Sequence, residues 1–181
     1  MRLRIIAGAL GGRLFDTPDT TTTHPMGDRI RGSLFNILGN IAEKTVLDPF
    51  AGSGALGFEA VSRGAKSVIL IDRDKRAQKT IEQNIENLGL SEQIKLVKTN
   101  CSVWSEKNIN QKFDLILADP PYNDEQLSTI SKLVRHLKPK GLMVLSYPGR
   151  GLVPTVNGVV VVDNRNYGDA ALAFYQQRPS Q

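Results

Sequence analysis

The chain has 181 residues, 40% of them hydrophobic and 23% charged, with a formal net charge of +5 and a pI of about 9.4. That is enough chain for one domain with a substantial core, and no apolar run approaches the roughly 20 residues that a membrane span needs. A single cysteine, Cys101, excludes an intrachain disulfide and a thiolate metal cluster, and the two histidines, His24 and His136, lack ligand spacing, so no metal is expected.

In chain order, RIIAGALGGRLFD reads as a short strand or hairpin, followed by a Thr-rich loop (Thr20–Thr23) and a helix near DRIRGSLFNIL. Residues 1–40 carry Arg2, Arg4, Arg13, Arg29 and Arg31 against three aspartates. The basic excess is otherwise spread along the chain and favours a polyanionic partner. The N-terminal apolar stretch is too brief for a signal peptide, so a cytoplasmic location is expected.

From Thr45 onward strands alternate with helices. TVLD (45–48) is a strand, ALGFEAVSRG (55–64) a helix, and SVILID (67–72) a strand. A helix over 74–88 sets Ala77, Ile81, Ile85 and Leu88 on one face and stops at Gly89. Strands follow at 94–99 and 113–119, a helix at 126–137, a KPKG turn at 138–141 and a strand at 141–148. Segments 159–168 and 171–177 lie too close for an intervening helix and should form an antiparallel hairpin. The alternation predicts an α/β fold, a mostly parallel sheet with helices on both faces and an antiparallel C-terminal edge.

Two motifs carry chemistry. In LDPFAGSGALGFEA, Gly52, Gly54 and Gly57 satisfy G-x-G-x-x-G between a strand and a helix, and Asp72 lies 20 residues beyond Gly52 at the end of the next strand. Glycines let backbone approach a ligand, and a carboxylate there can accept from ribose hydroxyls. Asp48, before Pro49, would repel a pyrophosphate but attract an ammonium. A ligand joining a nucleoside to an amino acid fits both ends, and S-adenosylmethionine is such a molecule.

The second motif, FDLILADPPYN, ends an apolar strand on Asp119, Pro120, Pro121 and Tyr122. The Asp119 carboxylate and the Pro120 carbonyl can each accept one N–H of an exocyclic amine, aiming its lone pair at a methyl donor. The prolines stiffen the turn, and Tyr122 can stack on the base. Cys101 reads as a small filler rather than a nucleophile, Trp104 as packing, and His136 as part of a solvated basic helix face.

DPPY after a strand, with DPFAGSGALG upstream, resembles the amino-group class of S-adenosylmethionine-dependent methyltransferases. RIIAGALGGRL, HPMGDRIRGSLFNIL and NYGDAALAFYQ extend the resemblance over nearly the whole chain, to the RsmD-type 16S ribosomal RNA guanine-N2 methyltransferases. The resemblance implies a Rossmann-like class I methyltransferase with a domain over 41–181 and an N-terminal extension over 1–40 touching RNA and cofactor. It implies methylation of a guanine N2 (the guanine 966 type) in 16S rRNA or an assembling small subunit; for a domain this small, a monomer is the simpler expectation. Residues Asp48, Pro49, Phe50, Ala51, Gly52, Ser53, Gly54, Asp72, Arg73, Asn100, Cys101 and Asp119 would hold the cofactor, with Asn100 and Cys101 bordering the adenine. Asp119 to Tyr122 would hold the guanine, and Arg13, His24, Arg29 and Arg31 would contact RNA; Arg29 and Arg31 could equally form surface ion pairs. Two departures stand out: HPM where relatives read RPT, and Gly32 where they carry Glu. The competing readings are an amino methyltransferase acting on DNA or other RNA, at adenine or cytosine, or on a small molecule, and a silent RNA-binding relative. A DNA enzyme of this class usually adds a target-recognition domain, for which 181 residues leave no room. A nicotinamide oxidoreductase ranks lower, for want of a hydride-transfer site.

Overall fold

The fold is described from a computed structural model, over residues 1–20, 25–124 and 126–179. A short antiparallel pair, β1 (Arg2–Arg4) and β2 (Leu14–Asp16), leads to α1 (Asp28–Leu38). The alternating part comprises β3 (Thr45–Asp48), α2 (Ala55–Ser62), β4 (Ser67–Ile71), α3 (Lys75–Leu88), β5 (Ile94–Val97), α4 (Cys101–Lys107), β6 (Phe113–Ala118) and α5 (Leu127–Leu133). A 3-10 turn over Val134–His136 precedes β7 (Leu137–Pro148), and β8 (Val159–Asn166) and β9 (Ala170–Gln177) close the chain. The seven-stranded sheet has the order β5-β4-β3-β6-β7-β9-β8, parallel except where β9 pairs with β7 and β8. The mostly parallel sheet with its antiparallel C-terminal hairpin is therefore present as expected.

Strand residues alternate between two cores, as a period of two requires. Val46, Leu70, Leu115 and Val144 face α1, α2 and α3 and the N-terminal hairpin, whereas Leu47, Ile71, Ile116 and Met143 face α4 and α5. On α3 the anticipated face (Ala77, Ile81, Ile85, Leu88) is buried, Asp74 caps the helix by accepting from Arg76 and Ala77 N–H, and Gly89 ends it with φ +69°.

Three local expectations are corrected. The helix α4 was not anticipated; Asn100 caps it by accepting from Val103 N–H, and Trp104 packs inward against Phe113 and His136. The KPKG segment is a bulge inside β7, with Phe113 opposite Leu137 but Leu115 opposite Leu142 and Lys140 at φ +64°. His136 is fully buried, bonded through Nε2 to Ser105 Oγ (2.8 Å) and through Nδ1 to Gln111 O (2.8 Å), because the turn after α5 rolls it under the helix.

The N-terminal segment shares the first core: Ile5, Phe15, Leu34 and Phe35 are buried, and the Phe15 and Phe58 rings meet edge to face at 5.0 Å. Its backbone is fastened to α2 by two buried polar side chains. Glu59 accepts from Ile6 N–H (2.9 Å) and Ala7 N–H (3.2 Å), while Ser62 Oγ accepts from Leu10 N–H (2.9 Å) and donates to Ala7 O (2.6 Å). Arg31, wholly inaccessible, donates to Met26 O and Arg4 O (2.8 Å each) and to Asp28 Oδ1 (2.9 Å), with Nε 3.8 Å from Glu59. Gly8 makes the close approach possible: at φ +86°, a Cβ would sit 1.9 Å from the Ser62 carbonyl oxygen. Gly8→Ala should therefore lower stability by about 2 kcal/mol or more, seen by calorimetry as a fall of about 4–8 °C in the midpoint; an unchanged midpoint would show that this docking carries no weight.

Candidate active site

The strand order reverses between β3 and β6, the switch point where sheets of this kind bind ligands. Because β3 runs parallel to both β4 and β6, with Leu47 opposite both Ile69 and Ile116, their carboxyl ends share one edge. Asp48 ends β3, Asp72 follows β4 and Asp119 follows β6. The two motifs thus meet where a nucleoside and a heterocycle would have to meet.

Asp48 is 1% exposed, and among the described residues neither of its oxygens has a hydrogen-bond partner. Burial pushes its pKa well above the carboxylate range, and the negative charges of Asp119 and Asp72 add to the rise; the nearby Phe50 N–H offsets part of it without a bond of good geometry. An unpaired buried carboxylate costs several kcal/mol. A cation delivered by a ligand would remove that cost.

Asp72 is better satisfied. Its Oδ2 accepts from Gly52 N–H (2.7 Å) and its Oδ1 from Asp74 N–H (2.8 Å), so one side chain fixes both the glycine turn and the start of α3. Burial still raises its pKa, the two backbone donors offsetting part of the rise. Gly52 at φ +56° and Gly54 at φ +81° carry the turn into α2, and a Cβ at Gly54 would strike the Phe58 ring at 2.8 Å. Gly57 serves packing: a Cβ there would lie 2.5 Å from Leu70 Cδ2. Ser53 Oγ accepts from Ala55 N–H (3.3 Å) at the start of α2 and keeps its own O–H as a donor.

Across the switch point, burial lifts Asp119 to about 6, against a pull back down from the Ser146 hydroxyl. Ser146 follows Leu145, the partner of Ala118 in β7, and its Oγ lies 2.8 Å from Tyr122 Oη. This hydroxyl, absent from the sequence reading, holds the ring and pulls the pKa of the acid down. The Tyr122 phenol is raised by burial, partly offset by Ser146. Pro121 O accepts from Asp124 N–H (3.0 Å), closing the turn. A narrow groove lined by Pro120, Pro121, Tyr122, Tyr147, Pro148 and Pro154 opens beside it.

The remaining candidate residues divide. Pro49 and Ala51 are buried under the turn, Phe50 is partly buried against the second core, and Arg73 is exposed beside Asp72. Asn100 uses its side chain as the cap of α4. Cys101 points into the second core and burial raises its thiol to about 11, so only its backbone remains for a ligand. Arg13, which reaches Asn87 O at 3.4 Å, and Arg29 are exposed. Arg31 is corrected: its guanidinium is consumed by backbone carbonyls, Asp28 and Glu59 inside the first core, so it offers nothing to a nucleic acid. His24 lies outside the described residues.

The family described as Conserved hypothetical protein 95 matches residues 3–176. Ribosomal RNA small subunit methyltransferase D of Haemophilus influenzae is 31% identical over 180 residues, covering 96% of this chain and 93% of the relative. The Escherichia coli protein of that name is 36% identical over 123 residues, 67% of this chain and 61% of its own. The solved structure of yhhF from Escherichia coli aligns with a TM-score of 0.85 at 30% identity, covering 98% of each chain.

The raised pKa of Asp119 has a signed consequence. Between the ordinary value of 3.8 and about 6 the folded protein keeps a proton that the unfolded chain has lost, so this group's contribution to stability is full below that window and is lost as pH rises through it. Denaturant titrations of Asp119→Asn should show it gaining on the parent by up to about 3 kcal/mol between pH 4 and pH 7.5. A difference that does not change with pH would contradict the buried environment.

Proposed function

The chain belongs to the Conserved hypothetical protein 95 family, that of the ribosomal RNA small subunit methyltransferases D, and from that premise we propose that it methylates the exocyclic N2 amine of a guanine in small-subunit ribosomal RNA, using S-adenosylmethionine. The observation that carries the reading is the meeting, at one sheet edge, of an unpaired buried Asp48 with the rigid turn of Asp119 to Tyr122.

The residues present fit the cofactor. The orphaned carboxylate of Asp48 suits its ammonium, the glycine turn admits a close backbone approach, and each Asp72 oxygen retains a lone pair for a ribose hydroxyl beside its backbone donor. S-adenosylmethionine, when bound, supplies a methyl group on positively charged sulfur. The chain supplies orientation. A guanine N2 lone pair is delocalised into the ring; acceptance of its two hydrogens by Asp119 and by the Pro120 carbonyl favours pyramidalisation and fixes the lone pair's direction. With a pKa of about 6, Asp119 is ionised near pH 7 and accepts as a full charge. Tyr122, held by Ser146 at the rim, offers its ring to the base. Exposed cations including Arg13 and Arg29 hold phosphates, with affinity that falls as salt rises. The N-terminal residues 1–40, docked on α2 through Glu59, contribute the cofactor-side wall and an RNA contact.

Methyl transfer to undermethylated small ribosomal subunits, followed by nucleoside analysis, tests the proposal: N2-methylguanosine is expected, and N6-methyladenosine in its place would overturn the acceptor. Asp119→Ala should reduce kcat at least about a hundredfold while leaving cofactor affinity within a few-fold; full turnover would remove the role assigned to Asp119. In the parent, kcat/KM should fall tenfold per pH unit below about pH 6, where Asp119 takes up its proton, and stay level above it.

A further inference from the structure

Of the segment between β7 and β8, only Pro154 enters the groove described above. The segment leaves β7 at Pro148 and is pinned at both stems. Gly149 donates to Asp169 O (3.0 Å) and accepts from Asn166 Nδ2 (2.8 Å), so close to the β8–β9 turn that a Cβ would lie 2.0 Å from Gly168 O. At the far stem, Tyr175 Oη donates to Pro154 O (2.7 Å), and Val156 is buried. Between these anchors Arg150, Gly151 and Leu152 project from the surface.

Leu152 is 93% exposed, the most exposed large hydrophobic side chain among the described residues. A leucine contributes nothing to stability in that position, yet it is held out on a loop whose two stems are fixed by hydrogen bonds. Its location gives it a use. β7 runs parallel to β6, so the loop leaves the sheet at the same edge as Asp119, and Pro148 and Pro154 line the groove that Tyr122, Pro120 and Pro121 form on the other side. In sequence Leu152 lies between Pro148 and Pro154, two residues that line this groove. Arg150 lies two residues before Leu152, 90% exposed, its only ion pair among the described residues a 3.7 Å approach to Asp169, itself 97% exposed. Such a pair is worth little and yields readily to a phosphate.

Resting on the reading of an RNA base as acceptor, we propose that Leu152 is the wedge that enters the base stack vacated by the extruded guanine, and that Arg150 clamps an adjacent phosphate. Extruding a base costs a few kcal/mol of lost stacking. An apolar side chain inserted at the opened step recovers part of that cost, as apolar wedges do in proteins that unstack nucleic acid. The Asp119 turn then receives a base whose return path is filled. Leu152 acts as a positioning residue, because it touches the neighbours of the base rather than the reacting atoms.

The test measures methyl transfer to undermethylated small subunits by the parent, Leu152→Ala, Leu152→Met and Arg150→Ala, with S-adenosylhomocysteine affinity by calorimetry and the thermal midpoint beside it. Leu152→Ala should lose at least about tenfold in kcat/KM for subunits with affinity and midpoint unchanged, and Leu152→Met should recover most of that loss. Arg150→Ala should leave kcat intact, raise KM for subunits and make the plot of log(kcat/KM) against log salt shallower by about one. A Leu152→Ala enzyme within twofold of the parent, or one whose loss is matched by lost S-adenosylhomocysteine affinity, overturns the wedge; an unchanged salt slope in Arg150→Ala overturns the clamp. If the parent modifies no RNA at all, the preceding proposal falls and takes the wedge with it, a result that no Leu152 variant can mimic.

Discussion

Parallel pairing of β3 with β4 and β6 forces acids that are distant in sequence onto one edge of the sheet. Asp48, Asp72 and Asp119 are each the residue at which, or just after which, a buried strand ends, so their mutual field follows from the topology. Protein donors answer two of the three: backbone N–H groups hold Asp72, and the Ser146 hydroxyl acts on Asp119. Asp48 alone has neither, although it is the most buried. The site therefore contains a charge deficit of defined position, and the glycine turn beside it leaves backbone open for whatever brings the missing cation.

A second buried charge system governs how that edge is walled. Glu59 lies one turn into the helix that the glycine loop initiates, and it takes Ile6 and Ala7 N–H along with the Arg63 guanidinium and the neighbouring Arg31. Fully buried ion pairs are expensive to break by removal of one partner. Here the pairing joins the first residues of the chain to the helix under the ligand crevice, so that the N-terminal hairpin, α1 and the glycine turn behave as one unit. The same polar network that folds the N-terminal segment sets its position against the helix that the glycine turn initiates.

Much of this was legible in the sequence. The parallel strands announced themselves as short apolar runs ending in Asp, and the faces of α3 followed from a period of 3.6. The candidate turn was readable because Asp-Pro-Pro-Tyr at a strand end is stiff and polar where a core strand has no need of it. What escaped depends on pairing in space. Ser146 looks like an ordinary strand serine until β7 is laid beside β6 and sets it next to Asp119. Arg31 was read as a surface cation, although its spacing from Leu34 and Phe35 puts it on the buried face of α1. Glu59, an acid in the otherwise apolar ALGFEA, carried a signal of the same kind: a charge inside an apolar helix needs a buried partner. The helix α4 was missed because seven residues laced with serine offer no period to read, and its formation rests on the Asn100 cap and the burial of Trp104.

The central claim is that the unpaired, buried carboxyl of Asp48 is reserved for the ammonium of the cofactor, which stabilises its charged form. Calorimetric titration of the parent and of Asp48→Asn with S-adenosylhomocysteine, and with 5′-methylthioadenosine, which lacks the amino-acid end, tests it most directly. The account predicts that the substitution weakens S-adenosylhomocysteine by about ten- to a hundredfold, the worth of one charge-assisted hydrogen bond, and leaves 5′-methylthioadenosine within a factor of two or three. Equal losses for the two ligands, or none for either, would contradict it.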